Sequence, residues 1–163
     1  MTSMQDLENR LAVLEKECRQ LRDMEAIRKV RYAYWRCVSE QRMTDLVNLF
    51  ATHAYFDPGI PGMQKEGRMA IAEFFESFLG PQTPAGSSYP RGFNHEIEIT
   101  GDDTAHAFWL GEAPRIDKKT GTMLRVGFIY HEEYVREEGE WKISSLKVST
   151  TYRELTQLAP TSA

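Results

Sequence analysis

The 163-residue chain carries 24 acidic and 20 basic residues for a net charge of -4, and 41% of it is hydrophobic. That length makes one domain able to bury an ordinary core without disulfide or metal staples, and charges mixed along the chain, with no basic block, argue against nucleic acid as a partner. The run Met1-Thr2-Ser3-Met4-Gln5-Asp6-Leu7-Glu8 lacks the apolar stretch of a signal peptide and no segment reaches the length of a membrane span, so a cytoplasmic protein with no membrane partner is expected.

Leu7, Leu11, Leu14, Cys18 and Leu21 alternate spacings of four and three among Glu, Lys and Arg, a short heptad stripe. Such a helix is marginal alone. Residues 1–22 are therefore expected to form an amphipathic helix that meets another subunit in a dimer or trimer. Asp23 is a candidate cap for a second helix from about Met24 to Glu40, whose Ile27, Val30, Tyr34 and Val38 recur at helical spacing. Thr44 is a candidate cap for a third helix running through Phe50. A strand is expected over Ala54–Phe56, and Asp57-Pro58-Gly59-Ile60-Pro61-Gly62 ends it.

From Arg68, the residues Ile71, Phe74, Phe75, Phe78 and Leu79 mark another helix, closed by Gly80-Pro81. Gly80 to Gly92 holds three prolines, three glycines and two serines, the composition of a loop able to cover a pocket. Beyond it the periodicity becomes two, and strands are expected near Phe93–Thr100, Thr104–Pro114, Met123–Arg136 and Trp141–Tyr152. Helices followed by an antiparallel meander make an α+β domain over 23–155, with 156–163 as a flexible tail.

Cys18 and Cys37 form no CxxC pair, and His53, His95, His106 and His131 show no ligand spacing, so neither a metal nor a cofactor is expected. No Ser-His-Asp order, phosphate loop or nucleotide fingerprint occurs. Proton transfer in an apolar pocket is the chemistry left. Strand alternation puts Phe93, His95, Ile97 and Ile99 on one face, where His95 is either a hydrogen-bonded core residue or a general acid/base beside Tyr34. Asp57 reads as a turn former or a pocket carboxylate. Arg125 reads as a solvated arginine or as a guanidinium for a substrate carboxylate or phenolate. Leu146, Val148, Thr150 and Tyr152 share a face, making Thr150 and Tyr152 polar handles or ordinary strand residues. Tyr55, Phe78 and Trp109 complete the expected lining. The acidic cluster Glu132, Glu133, Glu137, Glu138 and Glu140 is expected at a solvated hairpin.

Met24-Glu25-Ala26-Ile27-Arg28, Tyr34-Trp35-Arg36-Cys37-Val38, Leu49-Phe50, Ala54-Tyr55-Phe56-Asp57, the run Ile97 to Ala105 and Gly139-Glu140-Trp141-Lys142-Ile143 occur in an order that resembles the SnoaL-like group of the nuclear-transport-factor-2-like superfamily. With the leading helix, the chain looks nearest to bile acid 7α-dehydratase-like members. The resemblance implies a cone in which a curved antiparallel or mixed sheet and three to four helices enclose a deep pocket, with an extra N-terminal helix and an oligomeric assembly. It makes Tyr34 a pocket tyrosine, sets Ser39 where dehydratases place an aspartate, and aligns Phe93 with their strand histidine and Thr150 with a late arginine.

These readings converge on a cofactor-independent lyase or dehydratase, in aromatic or steroid catabolism, that removes water or a small aldehyde from a hydrophobic cyclic or aromatic alcohol. His95 and Tyr34 are its expected catalytic pair. An isomerase or cyclase using the same pair, and a noncatalytic binder of small hydrophobes, are the alternatives.

Overall fold

The computed structural model describes residues 3–80, 87–117 and 119–159. Helix α1 spans Met4–Ser39, 36 residues without a glycine or proline to interrupt them. Ser3 caps it reciprocally: its Oγ accepts from the Asp6 N–H at 3.1 Å and its own N–H donates to Asp6 Oδ2 at 3.0 Å. The expected second start at Asp23 does not exist. Asp23 lies inside the continuous helix, and its carboxylate instead accepts from Arg136 Nη2 at 2.8 Å and Trp141 Nε1 at 3.0 Å, tying the helix to the sheet. Glu40 ends the helix and Gln41 turns the chain at a φ of 55°.

Helix α2, Met43–Val47, is shorter than expected and begins without a side-chain cap. Phe50 is not helical. It opens β1 (Phe50–Asp57), where it is fully buried and pairs with Ile143. A short β2 (Lys65–Glu66) precedes α3 (Arg68–Leu79), and the remaining strands are β3 (Ser87–Ser88), β4 (Arg91–Ile99), β5 (Thr104–Asp117), β6 (Thr122–Glu137) and β7 (Glu140–Gln157).

These seven strands form one sheet in the order β2-β1-β7-β6-β5-β3, with β4 also on β5. The β1–β7 pair is parallel and the other pairs are antiparallel, so the sheet is mixed. Bulges in the β4–β5 and β6–β7 ladders bend it, as extra residues in one strand do. Helices α1 and α3 pack against this curved sheet and α2 packs on both of them, and Ile27, Leu46, Phe50, Ala54, Ile71, Ile143 and Leu146 at their junction are fully buried. The architecture is the α+β cone expected from the sequence.

Two boundary expectations change. Residues 156–157 belong to β7, pairing with Met123 and Thr122, because the β6–β7 hairpin extends beyond the cone. Of the Gly80–Gly92 loop, 81–86 lie outside the described residues, and Ser87–Ser88 is a strand paired with Ile116 and Arg115. No described helix is long and apolar enough to cross a membrane.

Candidate active site

Between the helices and the concave face of the sheet lies a cavity of about 260 Å³. Tyr34 and Val38 of α1, Phe56 of β1, and Phe74, Phe75 and Phe78 of α3 form one wall. The other comes from inward residues of the long strands: Ala113 and Arg115 of β5, Leu124, Val126, Phe128 and Tyr130 of β6, and Val148, Thr150 and Arg153 of β7. A larger depression of about 500 Å³ lies beside the exposed side chains of Glu96, Glu98, His106 and Glu133. Its polar lining lacks the apolar enclosure that ligand sites use.

Tyr34 and Tyr130 are both buried, and both pack on one guanidinium: the Arg31 Cζ lies 4.3 Å from the Tyr34 ring centre and 4.1 Å from that of Tyr130. Arg31 is wholly inaccessible to solvent. Its Nη1 sits 2.8 Å from Oε1 of Glu132, whose other oxygen accepts from the Tyr134 hydroxyl at 2.5 Å. Burial is the largest influence on the Arg31 charge and opposes it, but Glu132 together with the surrounding tyrosines outweighs it, and the guanidinium is held firmly protonated. Burial raises the Glu132 carboxyl above its usual range against the pull of Arg31. Burial also drives up the phenols of Tyr34, Tyr130 and Tyr134, that of Tyr130 to about 12. At neutral pH both cavity tyrosines are neutral hydrogen-bond donors.

The expectations drawn from the sequence do not include this cluster, although the sequence carries signals of it. Arg31 falls four residues after Ile27 and three before Tyr34, inside the apolar stripe, where an arginine needs a buried partner. Glu132 was expected at a solvated hairpin; alternation places it on the same face as Phe128, Tyr130 and Tyr134, and it is buried.

Of the expected site residues, Tyr34, Phe78 and Thr150 line the cavity. His95 does not join Tyr34 there. A bulge in β4, with Asn94 at a φ of 49°, breaks the alternation, so Gly92 and His95 face inward and Phe93, aligned by resemblance with the dehydratases' strand histidine, is 42% exposed on the other face. The His95 ring stacks on Trp109 at 4.7 Å and its Nε2 accepts from Arg28 Nε at 2.9 Å. Trp109 is core, packed edge-on against Trp35 at 5.4 Å, and Trp35 covers Gly92 so closely that a Cβ there would overlap its ring.

The other expected residues also lie away from the cavity lining. Ser39 donates to the Trp35 carbonyl at 3.0 Å, the usual use of a hydroxyl late in a helix. Tyr55 alternates with the inward Phe56 and lies 6.0 Å from Lys147 Nζ. Asp57 acts as a turn former, accepting from the Gly59 N–H at 2.8 Å. Arg125, between the inward Leu124 and Val126, pairs with Glu154 at 3.3 Å. Tyr152 does not share a face with Thr150. A register shift at Gly127/Phe128 moves it to the outer surface, where its ring occupies the space beside Gly127 and its hydroxyl bonds Glu112.

Several solved structures share this architecture. A candidate scytalone dehydratase from Novosphingobium aromaticivorans superposes with a TM-score of 0.76 at 20% identity, covering 90% of this chain and 95% of the other. A type 2 hexachlorocyclohexane dehydrochlorinase gives 0.77 at 18%, over 90% and 99% of the two chains. The type 3 dehydrochlorinase from Novosphingobium barchaimii gives 0.75 at 16%, over 88% and 99%. At these identities the likeness shows a common fold. The sequence itself matches the SnoaL-like domain over residues 19–147, a span that holds Arg31 and Tyr34 of α1 and Tyr130 and Glu132 of β6. The chain belongs to the SnoaL-like family of nuclear-transport-factor-2-like folds.

Proposed function

We propose that the cavity is the active site of a cofactor-independent lyase that removes water or a small aldehyde from a hydrophobic cyclic or aromatic alcohol. The observation that carries this reading is the pair of neutral tyrosines, Tyr34 and Tyr130, set against a buried guanidinium at one end of a chamber walled mainly by apolar side chains. Dehydratases and dehydrochlorinases on the same fold, whose names describe eliminations, support it. At about 260 Å³ the cavity lies just below the usual range for ligand sites, roughly 300–1,000 Å³, which favours a one- or two-ring substrate over a sterol.

The chemistry follows from which protons are available. No imidazole or carboxylate is among the described lining residues, so the electron pair for elimination comes best from the substrate's own ring oxygen, ionised before the step. As that pair moves through the ring, the C–O bond to the leaving hydroxyl breaks. The departing oxygen takes the Tyr34 proton and leaves as water, and solvent returns a proton to Tyr34. A high phenol pKa does not prevent this, because departing hydroxide is the stronger base. Arg31, centred 4.3 Å from the ring, steadies the transient phenolate.

Tyr34→Phe tests the assignment: turnover of a phenolic benzylic alcohol should fall about 10²–10³-fold, the cost of losing one positioned donor. A folded variant with unchanged turnover removes Tyr34 from the chemistry. The absence of a lining imidazole or carboxylate also favours a second reading, a noncatalytic binder. Saturable binding of ring alcohols without product at any pH from 6 to 9 would establish the binder and defeat the lyase.

Assembly through the exposed N-terminal stripe is part of the same proposal. Leu7, Leu11, Leu14 and Leu21 are each at least half exposed and, among the described residues, none belongs to the core or packs against it.

A further inference from the structure

Five arginines lie on strands. Arg91 pairs with Glu112, Arg125 with Glu154, and Arg136 with Asp23 and Asp103. The other two, Arg115 and Arg153, have no carboxylate partner among the described residues, and these are the two that line the cavity. Arg115 is partly buried, and burial lowers its pKa with nothing to offset the cost. Its Cζ lies 5.5 Å from the Phe78 ring, which stacks in turn on Phe74 at 5.3 Å. Ladder register sets both cations at one end: Arg115 is opposite Leu124, and Arg153 is opposite Val126. Tyr130 is four residues beyond Val126 and six beyond Leu124, so at about 3.3 Å per residue the two ends are roughly 13–20 Å apart.

The geometry points to a substrate that carries an anionic oxygen group on its ring, held by Arg115 and Arg153 at one end while the leaving group meets Tyr34 and Tyr130 at the other. This rests on the proposed lyase site and deepens it. Two forked guanidinium groups suit a carboxylate or a phenolate, and an aromatic body fits the phenylalanine wall between. The same pair would favour ionisation of a phenolic substrate before elimination.

Titration of the full chain with 4-propylbenzoate, 4-nitrophenol near neutral pH and propylbenzene separates the outcomes. Either anion should bind on the order of tenfold tighter than the uncharged ring, and the tighter anion identifies the oxygen group. In Arg115→Gln/Arg153→Gln that advantage should vanish while propylbenzene binding persists. Equal binding of charged and uncharged rings, or an advantage that survives in the double variant, overturns the anion end and leaves the cavity as a binding site. Failure of all three probes overturns the site as well.

A second inference rests on helix α1 alone and on the proposal that its stripe self-associates. With Leu7, Leu14 and Leu21 at the d positions of a heptad, Met4, Leu11 and Cys18 fall at a, Glu8, Glu15 and Arg22 at e, and Arg10 and Glu17 at g. In a parallel, in-register pair each g residue meets the e residue five positions later in its partner. That sets Arg10 against Glu15 and Glu17 against Arg22, each pair twice, with no repulsive pair. An antiparallel pair that preserves the apolar layers sets Arg10 against Glu17 but also Glu8 against Glu15, so its attraction is cancelled by repulsion. We infer that the occupant of this stripe is the same stripe of a second copy, running parallel.

Cys18 makes the orientation readable, because the arrangement brings it to its own copy across the axis, whereas Cys37 is buried. Mild oxidation with diamide should cross-link the full chain into a dimer that Cys18→Ser abolishes, and Leu11→Glu/Leu14→Glu should reduce the solution mass to that of one chain. Failure to cross-link, with Leu7→Cys bonding to Cys18 instead, overturns the parallel arrangement. An assembly unaffected by the double glutamate variant overturns the stripe as the contact.

Discussion

Two sets of arginines serve one cavity and are treated in opposite ways. Arg31, behind the tyrosines, is fully buried against Glu132, under Tyr34, Trp35 and Tyr130. Arg115 and Arg153, at the other end, have no acidic partner among the described residues. The difference teaches which charge is structural scaffolding and which is available: a buried guanidinium must bring its own counter-charge to be tolerated, while a partly solvated one can wait for a ligand to supply it.

The largest effect expected from breaking this contrast is at Arg31. Arg31→Met leaves Glu132 and its raised carboxyl buried alone, so unfolding stability should fall by about 3–5 kcal/mol. Adding Glu132→Leu and Tyr134→Phe removes the orphaned groups together and should recover most of the loss. Chemical denaturation of the single and triple variants checks both. A single variant as stable as the parent would mean that the pair does not compensate itself.

Asp23 comes next, because it fastens the helix that carries Arg31. Burial works to raise its pKa, but the hydrogen bonds from Arg136 and Trp141 outweigh this, so the folded carboxyl lies below its usual 3.8. A depressed folded pKa contributes stability above the unfolded value, lost as pH falls through the folded one. Asp23→Ala should therefore cost about 1–3 kcal/mol at neutral pH, and the gap in Tm from the parent should close below about pH 3.8. A gap that stays constant into acid would show that packing, not the charge, anchors the helix.

Tyr130 sharpens the contrast from the alkaline side. Its folded pKa is raised to about 12, so the folded state keeps a proton that the unfolded chain releases near 10. That contribution is complete below pH 10 and is lost as pH rises towards 12. Tyr130→Phe should flatten the decline of stability over that window.

The smallest effect belongs to Arg125, the arginine expected from the sequence to hold substrate. Its exposed pair with Glu154 is worth under about 1 kcal/mol, and Arg125→Gln should leave anion binding unchanged where Arg115→Gln weakens it. Equal losses from the two substitutions would erase the distinction between the faces of the sheet.

The sequence by itself determined the long strands, the regions that form helix and the family. Hydrophobic spacing located the helices around Tyr34 and Phe74, period-two alternation located the long strands, and the order of weak motifs pointed to a SnoaL-like cone, all of which depend on neighbours close along the chain. Tyr34 and Phe78 were legible as lining because helical spacing alone turns them inward. Only the tertiary structure decided which strand residues face the cavity. One extra residue near Asn94 separated Phe93 from His95, and another near Thr151 sent Tyr152 outward and Arg153 inward, because a bulge reverses every side chain beyond it. The Arg31–Glu132 pair joins residues 101 positions apart, and Arg115 and Arg153 reach one cavity from strands that lie on either side of β6. No local pattern encodes such pairings, so the chemistry of the cavity became visible only once the sheet had closed around it.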